Sequence, residues 1–326
     1  MALRSIFVKN KSALNELLWI SCKTKELQAR CFSVSGVKKM RFVQFQLKSG
    51  GPRHVGAQLS IDGDIIDISA VDSSVPNSLL KCLRDGNGII EKAKRIVAEG
   101  KSLVPLSEVN LLPPITNPDK IICVGLNYSG HCDEQKLPYP KEPIIFSKYS
   151  STIIGPHDAI KLPKISNSVD WEVELAVVIG KTAKNIRQDQ SQDHIFGYTI
   201  AQDISARDWQ KGRNGGQFLL GKSMDTFCPI GPVVVTKNKI NAQNLNIKSW
   251  VNGVQKQSGN TNEMIFKIDF LVAYLSEFMT LYPGDLILTG TPSGVGMHRK
   301  PAEFLKAGDL LESEIEGIGK IANIVE

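Results

Sequence analysis

From Arg41 onward, apolar and polar residues alternate with the period of two that is typical of β-strands. The segments RFVQFQL and HVGAQLSIDGDIIDIS alternate in this way around a Gly-Asp turn, which predicts a β-hairpin. Residues 77–98 carry two short helical patterns that are separated by DGNG. The proline-rich segment LLPPITNPDK then predicts a linker, so we expect a small N-terminal α+β domain over residues 41–113.

Beyond residue 114, the chain is dominated by short apolar segments that end at Gly, Pro or Asp turns, and each of them predicts a strand. These segments are IICVG, PIIFSK, VELAVVIG, FGYTIAQD, GPVVVTK, IKSWVNG, DLILTG, DLLESEIEGIG and KIANIVE. One longer pattern, FLVAYLSEFMTL, predicts a helix that ends before Pro283, with Asp269 as its N-cap. Many strands and few helices predict an α+β, mainly β fold for residues 114–326 and argue against a doubly wound α/β sheet.

The net charge of +6 is concentrated at the start of the 326-residue chain. Residues 1–40 contain eight Lys or Arg against Glu16 and Glu26, so the remainder is near neutral and does not support a nucleic-acid-binding patch. These basic residues, the amphipathic run SALNELLWI and the sequence RCFS predict a mitochondrial transit peptide over residues 1–40, with a disordered tail as the alternative. Because no apolar run approaches the roughly 18 residues of a spanning helix, we expect no membrane insertion.

The segment VDWEVELAVVIGK places Glu172 and Glu174 two residues apart in a predicted buried strand. Side chains alternate between the faces of a strand, so both glutamates face one way while Val173 and Leu175 face the other. Their Cα atoms would lie about 7 Å apart, where two charges repel by about 2 kcal/mol at an effective dielectric constant near 20. A solvent-exposed strand face, a cationic side chain or a metal ion would each relieve this repulsion.

A third carboxylate, Asp203, ends the predicted strand FGYTIAQD and strengthens the metal explanation. Three carboxylates without His or Cys form a set of hard oxygen ligands, which favours Mg²⁺, with Mn²⁺ as the alternative, over Zn²⁺. The triplet alone is a weak pattern, so the exposed strand face stays open at this point.

His131 and Glu134 follow the strand IICVG and are three residues apart, which places them on the same side of a helical turn. A histidine beside a carboxylate is a candidate proton shuttle, and a surface histidine with an ion-pair partner is the alternative. The other histidines, His298 among them, have no such neighbours in sequence, so we interpret them as surface or structural residues.

The segment GQFLLGKS matches the spacing of a phosphate-binding loop but lacks the preceding strand and the following helix that this chemistry needs. We therefore expect no nucleotide there and interpret Lys222 as a lone cation near the carboxylates. The segment TGTPSGVG offers backbone amides and the Thr291 hydroxyl to a ligand, or is a turn without a functional role.

Taken together, six segments resemble the fumarylacetoacetate hydrolase superfamily over about residues 117–326. These segments are VGLNYSGHCDEQ, PKEPIIFSK, VDWEVELAVVIGK, AQDISARDWQ, LLGKSMDTFCPIGP and YPGDLILTGTPSGVG. The resemblance implies a mixed β-sheet rolled into a barrel-like sandwich, in a protein that forms a homodimer.

The same resemblance implies roles for nine residues. The implied metal ligands are Glu172, Glu174 and Asp203. The implied catalytic residues are His131 and Glu134, an acid/base pair on a lid over the substrate, together with Lys222. The positions that hold the oxygens of the substrate, besides Lys222, are Arg207, Gln210 and Thr291.

Members of this superfamily hydrolyse, decarboxylate or isomerise 2-oxo acids, so these residues do not fix the reaction. The chain is most similar to a branch of mitochondrial oxaloacetate tautomerases, which implies a Mg²⁺-dependent conversion of enol-oxaloacetate to its keto form in the matrix, through an enolate that the metal stabilises. In this mechanism Arg207 or Lys222 pairs with the distal carboxylate of the substrate. An acylpyruvate-type C–C hydrolase, an oxaloacetate decarboxylase and a non-catalytic metal-binding protein are the alternatives.

Overall fold

Short alternating segments of the sequence form β-strands throughout a computed structural model, which describes residues 40–86 and 88–326. The strands are β1 (Arg41–Leu47), β2 (His54–Gln58), β3 (Ile65–Asp67), β4 (Leu103–Val104), β5 (Val109–Leu112), β6 (Ile121–Gly125), β7 (Ile144–Lys148), β8 (Ile153–Ile154), β9 (Val169–Asp170), β10 (Val173–Ile179), β11 (Ile195–Gln202), β12 (Ser205–Ala206), β13 (Cys228–Thr236), β14 (Asn246–Val251), β15 (Val254–Asn260), β16 (Leu286–Leu288), β17 (Leu310–Ile315) and β18 (Gly319–Ile324). Every strand segment predicted from the sequence beyond residue 114 contributes to one of them.

Helices are fewer and mostly short. The α-helices are α1 (Ile68–Val71), α2 (Leu79–Arg84), α3 (Ile89–Glu99), α4 (Ser129–Gln135), α5 (Ser191–His194), α6 (Arg207–Lys211), α7 (Leu219–Lys222) and α8 (Ile268–Phe278). Single turns of 3₁₀-helix cover Leu106–Glu108, Ser150–Thr152, Gln188–Gln190, Asn214–Gly216, Thr261–Glu263 and Gly296–His298. The predicted α+β, mainly β class is therefore confirmed.

Most strands belong to one mixed sheet of 12 strands. Its path runs β4-β3-β2-β1-β13-β11-β10-β16-β6-β7, with β5 paired to β1 and β8 paired to β13. Neighbours on the path are antiparallel except β16 and β6, which are parallel. Within the described ranges the path is open from β4 to β7, so the expected mixed-sheet roll is present and does not close into a barrel. A second sheet, β15-β14-β17-β18, and the pair β12-β9 complete the strands.

The N-terminal strands extend the main sheet. Strand β1 is antiparallel to β13, with Arg41 opposite Val235 and Phe42 opposite Val234. Residues 41–113 are thus hydrogen-bonded to the body that follows them. Their assignment as a separate domain, and the boundary near residue 114, stay predictions.

Strand β10 lies in the middle of the main sheet, between β11 and β16, and is buried along its whole length because both of its faces pack into hydrophobic clusters. Its odd-numbered residues, from Val173 to Ile179, pack into one hydrophobic cluster. Ala176 and Val178, on the opposite face, pack into a second cluster. Each such aliphatic side chain contributes about 1.5–3 kcal/mol on burial. Glu174 belongs to the second face by alternation, so its carboxylate is enclosed by the fold itself.

The long apolar helix is α8, whose start differs from the prediction. The predicted N-cap, Asp269, lies inside the first turn, and the extended residue before the helix is Lys267. The Asp269 carboxylate accepts a hydrogen bond from Gln192 Nε2 and lies where the helix dipole favours a negative charge. The N-cap assignment is therefore wrong by two residues. No α-helix in the described ranges is long and apolar enough to cross a bilayer.

Strand β15 was not predicted, because its sequence VQKQSGN is almost entirely polar. It pairs with β14 across Asn252 and Gly253, which both have positive φ, as a tight hairpin turn of the Asn-Gly type requires. Gln257 on this strand is buried, and its Oε1 accepts a hydrogen bond of 3.0 Å from the backbone N–H of Val173. The polar strand thus contacts the start of β10.

Asn127, two residues after the end of β6, connects three parts of the chain. Its buried amide donates to the carbonyls of Phe266 at 3.1 Å and Thr289 at 2.8 Å. Its Oδ1 accepts a bond of 2.7 Å from the backbone N–H of Phe266. This one side chain holds the segment before α8, at Phe266, against the end of β16, at Thr289.

We expect Asn127→Ala to lower the free energy of unfolding by about 2–4 kcal/mol, because it leaves three backbone groups without their partners. Urea unfolding followed by circular dichroism measures the change. The matched control is Asn238→Ala, at an exposed turn position, which should stay within about 0.5 kcal/mol of the parent protein. A loss below about 1 kcal/mol for Asn127→Ala would contradict this structural role.

Candidate metal and active site

Glu172, Glu174 and Asp203 meet at one end of β10. All three are buried, with 5%, 2% and 0% of their surface exposed, so an exposed strand face is excluded. Strands β10 and β11 are antiparallel neighbours with Val173 opposite Gln202, which places Asp203 beside Glu172. A backbone hydrogen bond of 2.9 Å, from Asp203 N–H to Glu172 C=O, holds this register. One carboxylate oxygen from each residue lies within 4.8 Å of the others.

Three buried cations surround two of these carboxylates. Lys222 Nζ lies 2.7 Å from Glu172 Oε2 and 2.6 Å from Asp203 Oδ2. Arg207 Nη2 lies 2.6 Å from Glu172 Oε1, and Lys148 Nζ lies 2.7 Å from Asp203 Oδ1. Glu172 and Asp203 are therefore neutralised by the protein.

Glu174 lacks such a partner. Its Oε2 accepts a hydrogen bond of 2.7 Å from the backbone N–H of Gly290, and no basic side chain of the described residues forms an ion pair with it. Burial, together with the nearby Asp203 and Glu172, raises the pKa of Glu174 well above its usual range. Burial also raises the pKa of Glu172, but Arg207 and Lys222 outweigh it, so that the pKa lies below its usual value.

The donor set fits a hard divalent cation. It contains carboxylate oxygens only, and one of its members, Glu174, is a buried acid whose negative charge the protein does not balance with a cation. A cation held between the three carboxylates would offset the cost of burying that charge.

Helix α6 carries Arg207 and Gln210, two of the residues predicted to contact the substrate. Arg207 is held on one side by Asp170, whose Oδ2 accepts from Nε at 2.8 Å, and its Nη1 donates to Gln210 Oε1 at 2.9 Å. Asp170 also accepts bonds from the backbone N–H groups of Gly296 at 2.7 Å and Met297 at 2.9 Å. Burial lowers the pKa of Arg207, but Glu172 and Asp170 outweigh it, so the net shift is upward and the guanidinium stays charged.

Thr291 lies on the loop after β16, and its hydroxyl is already engaged. Oγ1 donates to the carbonyl of Val173 at 2.9 Å and accepts from Gln257 Nε2 at 2.7 Å. Because a hydroxyl has one hydrogen to donate, a ligand oxygen would need another donor of this loop. The same loop contributes the Gly290 N–H that contacts Glu174.

His131 and Glu134 lie on helix α4 and contact each other, with Nδ1 2.5 Å from Glu134 Oε1. Glu134 Oε2 accepts a bond of 2.9 Å from the backbone N–H of Gly294. On the other side of the ring, Gln135 Nε2 lies 3.0 Å from His131 Nε2, and Lys211 Nζ lies 3.3 Å from Gln135 Oε1. The alternative of a surface histidine is excluded, because His131 is buried.

These contacts fix the tautomer of His131. Lys211 can only donate, so the oxygen of the Gln135 amide faces Lys211 and its NH₂ group faces the imidazole. His131 Nε2 must then accept, which leaves the hydrogen on Nδ1, where it is donated to Glu134. The ring therefore presents an unprotonated Nε2 on the side away from Glu134.

A cavity of about 240 Å³ joins these groups. Its lining includes seven of the nine predicted residues: Glu172, Glu174, Arg207, Gln210, Lys222, Thr291 and His131. Glu134 does not line the cavity and contacts it through His131. Asp203 is more deeply buried, behind Lys222. The volume lies below the roughly 300–1,000 Å³ of pockets for drug-sized ligands, so it suits a small acid.

Four residues at the site were not singled out from the sequence. Asp170 lies in the same segment as the glutamates, and Lys148 ends a predicted strand, but neither has a spacing that indicates its partner. Lys211 and His298 also line the cavity. The ring of His298 lies 6.2 Å from that of His131, so His298 is a neighbour of this site, which its sequence surroundings did not indicate.

The segment GQFLLGKS has a packing role. Its last residues form the short helix α7, preceded by a 3₁₀ turn rather than by a strand. A Cβ atom at Gly221 would lie 2.6 Å from the backbone nitrogen of Gln210, so only glycine lets α7 approach α6 this closely. The next residue, Lys222, is thereby brought to the carboxylates.

Comparison with known proteins relates this site to one family. A sequence profile described as "Fumarylacetoacetate (FAA) hydrolase C-terminal" matches residues 120–326. The chain is 50% identical over 303 residues to "Oxaloacetate tautomerase FAHD2A, mitochondrial" of Bos taurus, with 93% of this chain and 96% of the relative covered. It is 50% identical over 300 residues to the Homo sapiens protein of the same name, with 92% and 96% covered.

Solved structures agree with this relationship. The fumarylacetoacetate hydrolase from Exiguobacterium antarcticum is 34% identical with a TM-score of 0.78, covering 88% of this chain and 99% of that one. The maleylpyruvate hydrolase from Sphingobium sp. SYK-6, solved in complex with manganese(II) and pyruvate, is 30% identical with a TM-score of 0.71, covering 88% and 98%. The profile match, the curated relatives and the shared fold establish that this chain belongs to the fumarylacetoacetate hydrolase family of enzymes.

Proposed function

We propose that this protein is an oxaloacetate tautomerase, which converts enol-oxaloacetate to its keto form with Mg²⁺ as cofactor. The observation that carries the proposal is the 50% identity, over 93% of the chain, to a relative that bears this name. The buried triad of Glu172, Glu174 and Asp203 supports metal dependence. A structural neighbour that binds manganese(II) makes Mn²⁺ the alternative ion.

Glu172, Glu174 and Asp203 would hold the metal. When bound, Mg²⁺ supplies a Lewis acid that stabilises negative charge on the 2-oxo oxygen of the substrate. Arg207, Gln210 and Lys222 surround the same space and would orient the carboxylate and keto oxygens, with the backbone N–H groups of the Thr291 loop as further donors in place of the engaged Thr291 hydroxyl. Because Arg207 and Lys222 are also paired with the carboxylates, they keep the ligand oxygens in place as well as facing the substrate.

His131 and Glu134 would move the proton. Ketonisation removes a proton from the enol hydroxyl and adds one at C3, so a single group that first accepts and then donates is sufficient. The unprotonated Nε2 of His131 can accept the proton once the substrate hydroxyl takes the place of the Gln135 amide, and Glu134, bonded to Nδ1, stabilises the imidazolium that forms. Glu134 is held in turn by Gly294, which keeps the imidazole in one orientation.

The proposal extends to the cellular setting. The bovine and human relatives carry the word mitochondrial in their names, which supports a matrix location and a transit peptide over residues 1–40. That segment, up to residue 39, lies outside the described residues. We also propose that the protein forms a homodimer and that it has a separate N-terminal domain over residues 41–113 and a catalytic domain over residues 114–326. The family profile, which begins at residue 120, supports the catalytic domain.

A C–C hydrolase is the second candidate, because the manganese-containing neighbour is a maleylpyruvate hydrolase. Hydrolysis needs a water molecule that attacks a second carbonyl carbon. Oxaloacetate offers only a carboxylate at that position, which is a poor electrophile. Pyruvate release from acetylpyruvate identifies a hydrolase, and pyruvate release from oxaloacetate identifies a decarboxylase.

With enol-oxaloacetate and Mg²⁺, we expect the purified protein to accelerate the decay of the enol ultraviolet absorbance, with no release of pyruvate. EDTA should return the decay to the spontaneous rate, because the carboxylate triad then lacks its cation. Decay at the spontaneous rate in the presence of protein and Mg²⁺ would sink the tautomerase proposal.

Glu174→Gln should weaken Mg²⁺ binding about 100-fold, because it removes a ligand charge while keeping the shape of the side chain. Isothermal titration calorimetry measures the affinity, and thermal unfolding should show a melting temperature at or above that of the parent, since a buried charge without an ionic partner is lost. Glu142→Gln, at an exposed position, is the control and should bind normally. Unchanged affinity in Glu174→Gln would refute its assignment as a ligand.

His131→Gln should lower kcat for enol-oxaloacetate by about 100-fold or more, which is the usual contribution of a positioned acid/base group. Calorimetric Mg²⁺ affinity should not change, because His131 is not among the three proposed ligands. His157→Gln, which alters an exposed histidine, provides the comparison. If both variants turned over equally fast, His131 would have no part in proton transfer.

A further inference from the structure

We propose that Lys211 binds the distal carboxylate of a 2-oxo dicarboxylate substrate and so makes the site selective for dicarboxylates over monocarboxylates. The inference rests on the proposed function for the class of substrate. It names a residue to which neither the sequence patterns nor the family comparison assigns a role.

The first argument is the state of the basic residues that line the cavity. Arg207 is ion-paired with Asp170 and Glu172, and Lys222 is ion-paired with Glu172 and Asp203. Both cations are thus neutralised by the protein itself. This argues against the expectation that one of them receives the distal carboxylate.

Lys211 is different. It lines the same cavity, and no acidic side chain of the described residues forms an ion pair with it. Its one polar contact in the site is the bond of 3.3 Å to Gln135 Oε1, a neutral acceptor at the long end of hydrogen-bond distances. Lys211 therefore brings a positive charge to the cavity that still lacks an anion.

The second argument is the position of Lys211 in the cavity. Helix α6 turns Arg207 and Gln210 into the buried interior, while Lys211, its last residue, lies exposed at the cavity mouth. The proposed ligands Glu172 and Glu174 lie at the buried end. A dicarboxylate whose 2-oxo acid end is bound near the triad would extend its other carboxylate toward the mouth, where Lys211 is.

The surroundings of Lys211 favour an anion. Although Lys211 reaches solvent at the mouth, partial burial of its side chain lowers its pKa. Arg207 and Lys222 also lower this pKa, while Glu172 and Asp170 act in the opposite direction and do not cancel the net decrease. A carboxylate would relieve this cost and would form a charge-assisted bond, which is stronger than the bond to the Gln135 amide. The ammonium has three hydrogens to donate, so Lys211 can keep its bond to Gln135 at the same time. His298 lines the same wall and adds a polar ring beside this position.

Calorimetry with matched ligands tests the proposal on the Mg²⁺-loaded protein. Malate and lactate share a 2-hydroxy acid end, and only malate carries a distal carboxylate. The parent protein should bind malate more tightly than lactate. Lys211→Gln should lower the affinity for malate about tenfold and leave that for lactate within about twofold, because only the distal contact is lost. Lys211→Arg should restore most of the malate affinity, since it keeps the charge.

The control variant is Lys164→Gln, which removes a lysine charge at an exposed position and should bind both ligands normally. Three results would each overturn the proposal: Lys211→Gln weakens the binding of both ligands equally, Lys211→Gln leaves the malate affinity unchanged, or the parent protein does not prefer malate.

Kinetics provide a second readout, because Lys211→Gln should raise KM for enol-oxaloacetate and leave KM for its 4-ethyl ester unchanged. If the parent protein failed to accelerate tautomerisation while malate selectivity still followed Lys211, the proposed reaction would fail and the dicarboxylate site would stand.

Discussion

The balance of buried charge at the end of β10 is the constraint on which the rest of this structure depends. Asp170, Glu172, Glu174 and Asp203 are all removed from water, and a desolvated carboxylate without a partner costs several kcal/mol. Among the described residues, Arg207, Lys222 and Lys148 bring three buried positive charges to these four acids. With all four acids ionised, one formal negative charge is left over, and it falls to Glu174, whose raised pKa reflects the missing cation. A divalent cation would favour the ionised form and would give the cluster a net positive charge that suits an anionic substrate.

Fold and site are coupled through these ion pairs. Asp170 lies on β9 and Glu174 on β10, while Glu172 lies between these strands and Asp203 directly follows β11. The three cations come from other elements, namely β7, α6 and α7. Loss of one partner from a buried pair leaves an uncompensated charge, which typically costs about 3–5 kcal/mol. The short helices α6 and α7 have few apolar residues to hold them in place. Their ion pairs with the sheet, and the close contact at Gly221, therefore serve both packing and chemistry.

The parts of the structure that follow from local periodicity could be predicted from the sequence. Alternation along VDWEVELAVVIGK placed Glu172 and Glu174 on one side of a strand, and the segment FGYTIAQD placed Asp203 at the end of another strand. The pairing of Val173 with Gln202 brings the glutamates next to Asp203, and this pairing depends on the tertiary structure rather than on local periodicity. Lys148, Lys211 and His298 were missed for the same reason, since their partners are distant in sequence. The polar strand β15 was missed because its burial depends on Gln257 bonding to β10 rather than on apolar side chains.

The loop from Thr289 to Gly296 contacts the site mainly through its main chain. The N–H groups of Gly290, Gly294 and Gly296 bind the carboxylates of Glu174, Glu134 and Asp170, at 2.7, 2.9 and 2.7 Å. Every amino acid except proline carries such a donor, so this attachment does not depend on the chemistry of the loop's side chains. What it does require is space: a Cβ atom at Gly296 would lie 2.1 Å from the carbonyl oxygen of Glu303, and one at Gly294 would lie 2.2 Å from that of Lys256. Close packing therefore leaves no room for a side chain at Gly294 and Gly296, whereas the hydrogen bonds that attach the loop place no demand on the side chains between these glycines.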